Sequence, residues 1–362
     1  LRKGDGSMNH DIDIKKVRVN CFRQSKVAGE FMLQLRVPGN LIDAKYLSII
    51  QEICQRWGNG TFHIGTRQTL NAPGIKYEYI DEVNKFIKDY IKEVEVNMCD
   101  VDMDVNDAGY PTIGARNVMA CIGNSHCIKG NVNTAKLARK IERLVFPSHY
   151  HIKVAVAGCP NDCVKANFND FGVMGVHKQV YDIDRCIGCG SCVEACEHHA
   201  TGVLSLNANG KIDKDTCCCV GCGECSLICP TGAWSRGKQL YRVTLGGRTG
   251  KQNPRAGKLF LNWVTEDVVL GMFANWQKFS AWALDYKPEY LHGGHLIDRV
   301  GYKAFVKHIF DGVEFNPEAK MADDIYWAEN EQRGNMHVMP LSQHKFAGPS
   351  DERGYSFAPK TK

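Results

Sequence analysis

"AGCPNDC" spans residues 157–163 and sets Cys159 and Cys163 in a C-x3-C spacing around a proline. The stretch before it, "YHIKVAVAG" (150–158), reads as a strand that delivers this motif to the end of a sheet. Upstream, "CIGNSHC" (121–127) sets Cys121 and Cys127 in a C-x5-C spacing. Together the two motifs offer four thiolates. That is enough for one 4Fe–4S cluster or, as the plainer alternative, a zinc ion.

Working outward, "KVAGEFMLQLRVPG" (26–39) alternates apolar and polar residues and ends in Pro-Gly, which predicts a strand and a turn. "LIDAKYLSIIQEICQRWG" (41–58) has helical spacing that stops at Gly58. "GTFHIGTRQTLNAPGI" (60–75) reads as one strand, and "YIDEVNKFIKDYIKEVEV" (79–96) as a helix running into a strand. Residues 110–127 look like loop, and "VNTAKLARKIERLVF" (132–146) is a basic amphipathic helix. "FGVMGVHK" (171–178) and "LYRVTLGG" (240–247) are strand-like, and "TEDVVLGMFANWQKFSAWALDY" (265–286) is helical. This order predicts an α+β fold, a mixed sheet covered by helices.

Between those last two strands the composition changes to Cys and Gly. "CIGCGSCVEAC" places Cys186, Cys189, Cys192 and Cys196 at C-x2-C-x2-C-x3-C, and "CVGCGECSLICP" repeats the pattern with Cys219, Cys222, Cys225 and Cys229. In such a pair the fourth cysteine of each repeat ligates the other cluster. Cys186, Cys189, Cys192 and Cys229 are therefore expected to hold one cluster, and Cys219, Cys222, Cys225 and Cys196 the second. Glu197 stands where proline often follows the repeat. Of the run Cys217-Cys218-Cys219, only Cys219 keeps the spacing. The module reads as a dicluster ferredoxin-like domain inserted into its host.

The chain has 362 residues, 44% of them hydrophobic, a net charge of +5 and 17 cysteines. No apolar run approaches a membrane span, and no Lys/Arg run points to nucleic acid. The opening residues read as a tail or tag rather than a signal peptide, and cysteines at ligand spacings fit a reducing, cytoplasmic setting. Cys21, Cys54, Cys99, Cys217 and Cys218 fall outside the motifs and read as ordinary core or loop residues. "GGRTG" (246–250) is a glycine turn and only a weak nucleotide loop. "LHGGH" (291–295) reads as a turn rather than a metal pair.

The four-cysteine pattern with "GCPNDC", together with "LRVPG", "GTRQTL" and "ARNVMAC" in order, resembles the sirohaem/4Fe–4S sulfite and nitrite reductases. The insert, "GKLFLNWVTEDV", "HLIDRVGY" and "NPEAKMADDIYWAE" are most similar to the catalytic C subunits of anaerobic, NADH-linked sulfite reductases. The resemblance runs from about residue 12 to 340. It implies sirohaem and three 4Fe–4S clusters, with Cys163 bridging the third cluster to the sirohaem iron. It implies a role for Arg67 mainly toward the macrocycle, and for Arg36, Arg116 and Lys153 mainly toward sulfite and its protonation. Guanidinium forks suit such oxyanions. His151 stands where a second lysine is common and would make proton delivery pH-sensitive.

The implied activity is six-electron reduction of sulfite to sulfide. A sirohaem nitrite reductase and a non-catalytic polyferredoxin are the alternatives. The implied partners are an iron–sulfur electron-transfer subunit and a flavin/NADH-oxidising subunit. Members of this superfamily typically hold two related halves, whereas this chain reads as one, so a homodimeric core with a shared site is expected, with a self-contained site as the alternative. The expected domains are a tail (1–10), a ferredoxin-like N-terminal half (11–76), a sirohaem/4Fe–4S-binding domain (77–180), the inserted ferredoxin domain (181–235), the rest of the sirohaem domain with C-terminal helices (236–337), and an extended tail (338–362).

Overall fold

The structure, a computed structural model, describes residues 17, 21–107, 109, 114–250, 254–287, 289 and 291–327. The tails expected at 1–10 and 338–362 lie outside the described residues.

The N-terminal part is an antiparallel sheet of β1 (Phe22–Gln24), β2 (Glu30–Leu35), β3 (His63–Ile64) and β4 (Leu70–Lys76), in the order β1-β2-β4-β3. On β2 the strand period of two sends Phe31, Leu33 and Leu35 into the core and leaves Met32 and Gln34 on the other face. The single strand expected over 60–75 is a hairpin. Gly65 and Gln68 close its turn, and Gln68 takes a left-handed φ of 60°.

Helix α1 (Leu47–Arg56) and helix α2 (Ile80–Ile91) cover this sheet. Trp57 meets Phe86 at 5.2 Å between ring centroids, and Tyr46 meets Tyr90 at 5.3 Å. α2 thus packs back on α1. After α2 the chain winds through a π-helical turn, Lys92–Asn97, in place of the expected strand. That turn buries Glu95 completely.

The larger sheet has six strands. β5 (Gly114–Ala115) and β7 (Ser148–Ile152) form a small parallel pair beside it. β6 (Met119–Ala120), β8 (Val154–Ala157) and β9 (Phe171–Tyr181) run parallel. Helix α3 (Thr134–Val145) makes the crossover between β6 and β8, started by Asn133, whose side chain accepts from the Lys136 N–H. The expected strand over 150–158 is thus two strands, broken at Lys153.

β9 then reverses through the cysteine-rich segment, which holds helix α4 (Ser191–His199), the hairpin of β10 (Leu204–Leu206) and β11 (Ile212–Lys214), and helix α5 (Glu224–Ile228). The chain returns as β12 (Trp234–Leu245), antiparallel to β9. Tyr181 and Trp234 face each other at the tip of this long hairpin, stacked at 4.6 Å. β13 (Lys258–Val264) and β14 (Lys320–Met321) complete the order β14-β13-β12-β9-β8-β6. Helices α6 (Glu266–Ala283), α7 (Gly293–Val300) and α8 (Tyr302–Ile309) follow β13. Phe171 packs edge-on against Phe273 and Trp276 of α6. No helix among the described residues is long and apolar enough to cross a membrane.

Candidate active site

A cleft of about 340 Å³ opens between the face of the four-stranded sheet and the amino ends of β6 and β8. Strand register lays out its floor: Arg23 lies opposite Met32, and Gln34 opposite Asn71, which lies opposite His63. Across from them stand Arg116, Asn117 and Lys153. Among the described residues, five cations line the cleft (Arg23, Arg36, Arg67, Arg116 and Lys153), and no carboxylate does. Such a space draws in an anion and holds its charge in a partly desolvated setting.

The two walls are tied together by side chains. Arg67 donates to Asn169 Oδ1 (2.8 Å) and to the carbonyls of Asn117 and Val154 (3.1 Å each). Asn117 donates to the carbonyls of Val37 and Arg67 and accepts from the Val37 N–H. Gln68 both donates to and accepts from Ala120, at 2.8 Å each way. These bonds hold Gln68 in its left-handed conformation.

Arg36 departs from expectation. Its side chain is 4% exposed, Nε meets Glu95 at 3.0 Å, Nη2 pairs with Glu142, and Nη1 donates to Ala115 O at 2.9 Å. Its guanidinium also sits 3.9 Å above the Phe146 ring. Burial pushes the Glu95 carboxyl above its ordinary value while Arg36 pulls it down. An arginine committed to two buried carboxylates is a structural tie, so the structure moves Arg36 from substrate contact to support of the cleft wall.

His151 departs as well. It is buried outside the cleft lining, edge-on to His292 at 4.6 Å, and desolvation lowers its pKa to about 3. His292 sits in "LHGGH", which forms the start of α7 and not an isolated turn. His151, Asp170 and His292 bring their ligand atoms within 4.8 Å of one another. Asp170 already accepts from the Lys153 N–H (2.8 Å), the Gly293 N–H (2.9 Å) and His292 (3.1 Å), so the group works as a buried hydrogen-bonded junction. Phe171 N–H donates to the Lys153 carbonyl. Lys153 is therefore fixed at both ends of its backbone and turns its side chain into the cleft.

Cys121 follows β6 and Cys159 follows β8. Burial raises the Cys159 thiol pKa, the Asn161 N–H lowers it, and the nearby thiols of Cys163, Cys121 and Cys127 raise it. Cys163 is exposed and the other three are half-buried. The Gly158 N–H donates to Cys121 Sγ at 3.0 Å. A Cβ on Gly158 would lie 3.0 Å from Gly123 Cα and 3.3 Å from that sulfur, so the close approach needs glycine. Asp162 of "PNDC" accepts from the Ala166 N–H at 2.6 Å and closes the loop.

In the insert, one cavity is lined by Cys186, Cys189, Cys192 and Cys229, and another by Cys196, Cys219, Cys222 and Cys225. Cys217 and Cys218 are exposed and line neither cavity. Tetrahedral zinc at 2.3 Å from sulfur would bring thiolates to about 3.8 Å of one another. Among the described residues, the group with three ligand atoms within 4.8 Å is His151, Asp170 and His292, not a cysteine quartet.

Sequence reading misses Arg23, His63, Gln34 and Asn117. Alternation along β1 and β2 carries a signal for Arg23 and Gln34; nothing local marks Asn117.

Residues 113–316 match the nitrite and sulphite reductase 4Fe-4S domain, and residues 23–90 match the nitrite/sulfite reductase ferredoxin-like half domain. The C subunit of the anaerobic sulfite reductase of Salmonella typhimurium is 51% identical over 92% of this chain and 99% of that protein. The chain belongs to the family of anaerobic sulfite reductase C subunits. Within the wider superfamily, the coenzyme F420-dependent sulfite reductase of Methanocaldococcus jannaschii is 32% identical over 54% of this chain and 30% of that protein. The fold is that of dissimilatory sulfite reductase I, with a TM-score of 0.56 at 18% identity, covering 86% of this chain and 77% of the other.

For this family the donor sets can be tested against the groups they imply. A lining that includes Arg23, Arg67, Arg116 and Lys153 suits a tetrapyrrole rich in carboxylates. The cleft, of about 340 Å³, lies near the low end of the range for small-molecule sites.

Proposed function

We propose that this chain is the catalytic sirohaem subunit of a sulfite reductase that converts sulfite to sulfide, with electrons drawn ultimately from NADH through partner subunits. The observation that carries this reading is the cleft lined by Arg23, Arg67, Arg116 and Lys153, with no carboxylate in its lining among the described residues, tied to the strands that carry the cysteine loops. A non-catalytic electron carrier has no use for it.

In the reaction sulfite gains six electrons and seven protons and leaves as hydrosulfide and three waters. Sirohaem, when bound, would supply the redox-active iron for sulfite and the route for electrons. Cys121, Cys127, Cys159 and Cys163 would hold the adjoining cluster, with Cys163 its exposed thiol. The Arg116 guanidinium and Lys153 ammonium hold sulfite oxygens and stabilise charge that develops on them. Lys153 also offers the protons that let oxygen leave as water. Arg67 faces the macrocycle carboxylates and keeps the walls in register.

A homodimeric, shared site is part of this proposal. Arg116 and Lys153 lie at the amino ends of β6 and β8, and Cys121 and Cys159 lie beyond their carboxyl ends. At about 3.3 Å per residue the five steps from Arg116 to Cys121 span roughly 16 Å. One chain's cations thus sit far from its own cluster loops and suit the cluster of a second copy. Co-expressing Lys153→Met and Cys121→Ser chains tests this. Cys121→Ser alone is inactive and Lys153→Met alone strongly impaired, and the mixed dimer holds one intact site, so sulfide production rises well above that of either variant. Mixed dimers that form and stay inactive would overturn the shared site.

A further inference from the structure

The two insert clusters are not equivalent in position. Among the described residues, the loop of the second, Gly221–Glu224, is the one stitched to the loop that follows Cys127. Asn131 donates its side-chain N–H groups to the carbonyls of Gly221 (3.3 Å) and Cys222 (3.4 Å), and its backbone N–H donates to Gly158 O at 2.7 Å, next to Cys159. Arg236 clamps the same loop through the carbonyls of Gly130 (3.1 Å) and Ile128 (2.9 Å). Lys129 reaches across and pairs with Glu224 at 2.8 Å. Lys129 stands two residues from Cys127, and Glu224 two residues from Cys222, so the pair bridges the two ligand loops. Cys189 of the first cluster is instead exposed, beside Ile187, which is 69% exposed.

We infer that electrons enter at the Cys186/Cys189/Cys192/Cys229 cluster, pass to the Cys219/Cys222/Cys225/Cys196 cluster and then to the sirohaem-coupled cluster, with Lys129 as the cation that raises the potentials of the last two together. The inference rests on the cluster assignments proposed above. At each step one reduced cluster loses one electron and its neighbour gains one; the source is a low-potential flavin or iron–sulfur donor, and no bond changes. A cation close to a cluster favours its more negative, reduced form, and cluster potentials follow local charge and hydrogen bonding. Lys129 touches neither a cluster sulfur nor the substrate, so it is a positioning and tuning residue.

The test is a redox titration of the holoprotein followed by electron paramagnetic resonance, on wild type, Lys129→Gln and Lys129→Arg. A Cys189→Ser variant identifies the signal of the entry cluster. The expected result is a shift to more negative potential at two clusters in Lys129→Gln, an unmoved entry cluster, and near wild-type values in Lys129→Arg. A shift at one cluster only, or an equal shift at the entry cluster, would overturn the role of Lys129. Wild-type iron short of three clusters would overturn the cluster assignments instead, so the two failures read differently.

Discussion

The insert and the cationic cleft are built in opposite ways. In the insert, ligands two or three residues apart share a tight loop, and covalent spacing nearly fixes their geometry. The cleft draws Arg23, His63, Arg67, Arg116 and Lys153 from segments far apart in the chain. There, motif membership says little about what a side chain touches. Arg36 and Lys153 show the contrast: both belong to motifs, yet one guanidinium is bound to two carboxylates and the other side chain faces the cleft.

The comparison breaks most visibly at the cysteines. Cys121→Ser is expected to lose one cluster's iron and all sulfite reduction, while the insert clusters stay; iron analysis and the assay check this together. Arg36→Met comes next. Leaving Glu95 and Glu142 buried without their partner should cost about 3–5 kcal/mol of stability. Denaturant unfolding measures it, and a variant of normal stability with a raised KM for sulfite would restore Arg36 to the substrate. Lys153→Met should do the reverse: stability near wild type, with kcat/KM for sulfite down roughly 10²-fold, the scale for losing one transition-state electrostatic partner.

His151 gives the smallest effect. Its pKa falls from 6.5 in the unfolded chain to about 3 in the fold, chiefly through burial. The unfolded state therefore binds the extra proton first as pH drops, and stability declines from about pH 6.5 toward pH 3. His151→Gln should flatten that part of the pH–stability curve and leave the pH profile of turnover unchanged. A shifted turnover profile would return His151 to proton delivery.

What can be read in advance follows physical lines. The β9–β12 hairpin, α3 and α6 are legible because their apolar periods are long and regular. The hairpin at 63–76 reads as one strand because Gly65 and Gln68 turn the chain inside an unbroken β-like run. Residues 92–96 look like a strand because alternation in "KEVEV" mimics one. The helical course is kept by burial of Val94 and Glu95, and Glu95 finds its partner at Arg36, far away in sequence. The junction of Asp170, His292 and the Lys153 backbone is invisible in the sequence because it forms across more than a hundred residues.

The central claim is that this chain joins a cationic cleft to sirohaem, and one measurement meets it directly. An anaerobic absorption spectrum of protein made in sirohaem-competent cells should show sirohaem bands that shift when sulfite is added. An iron–sulfur shoulder without those bands would contradict the account and leave an electron carrier in its place.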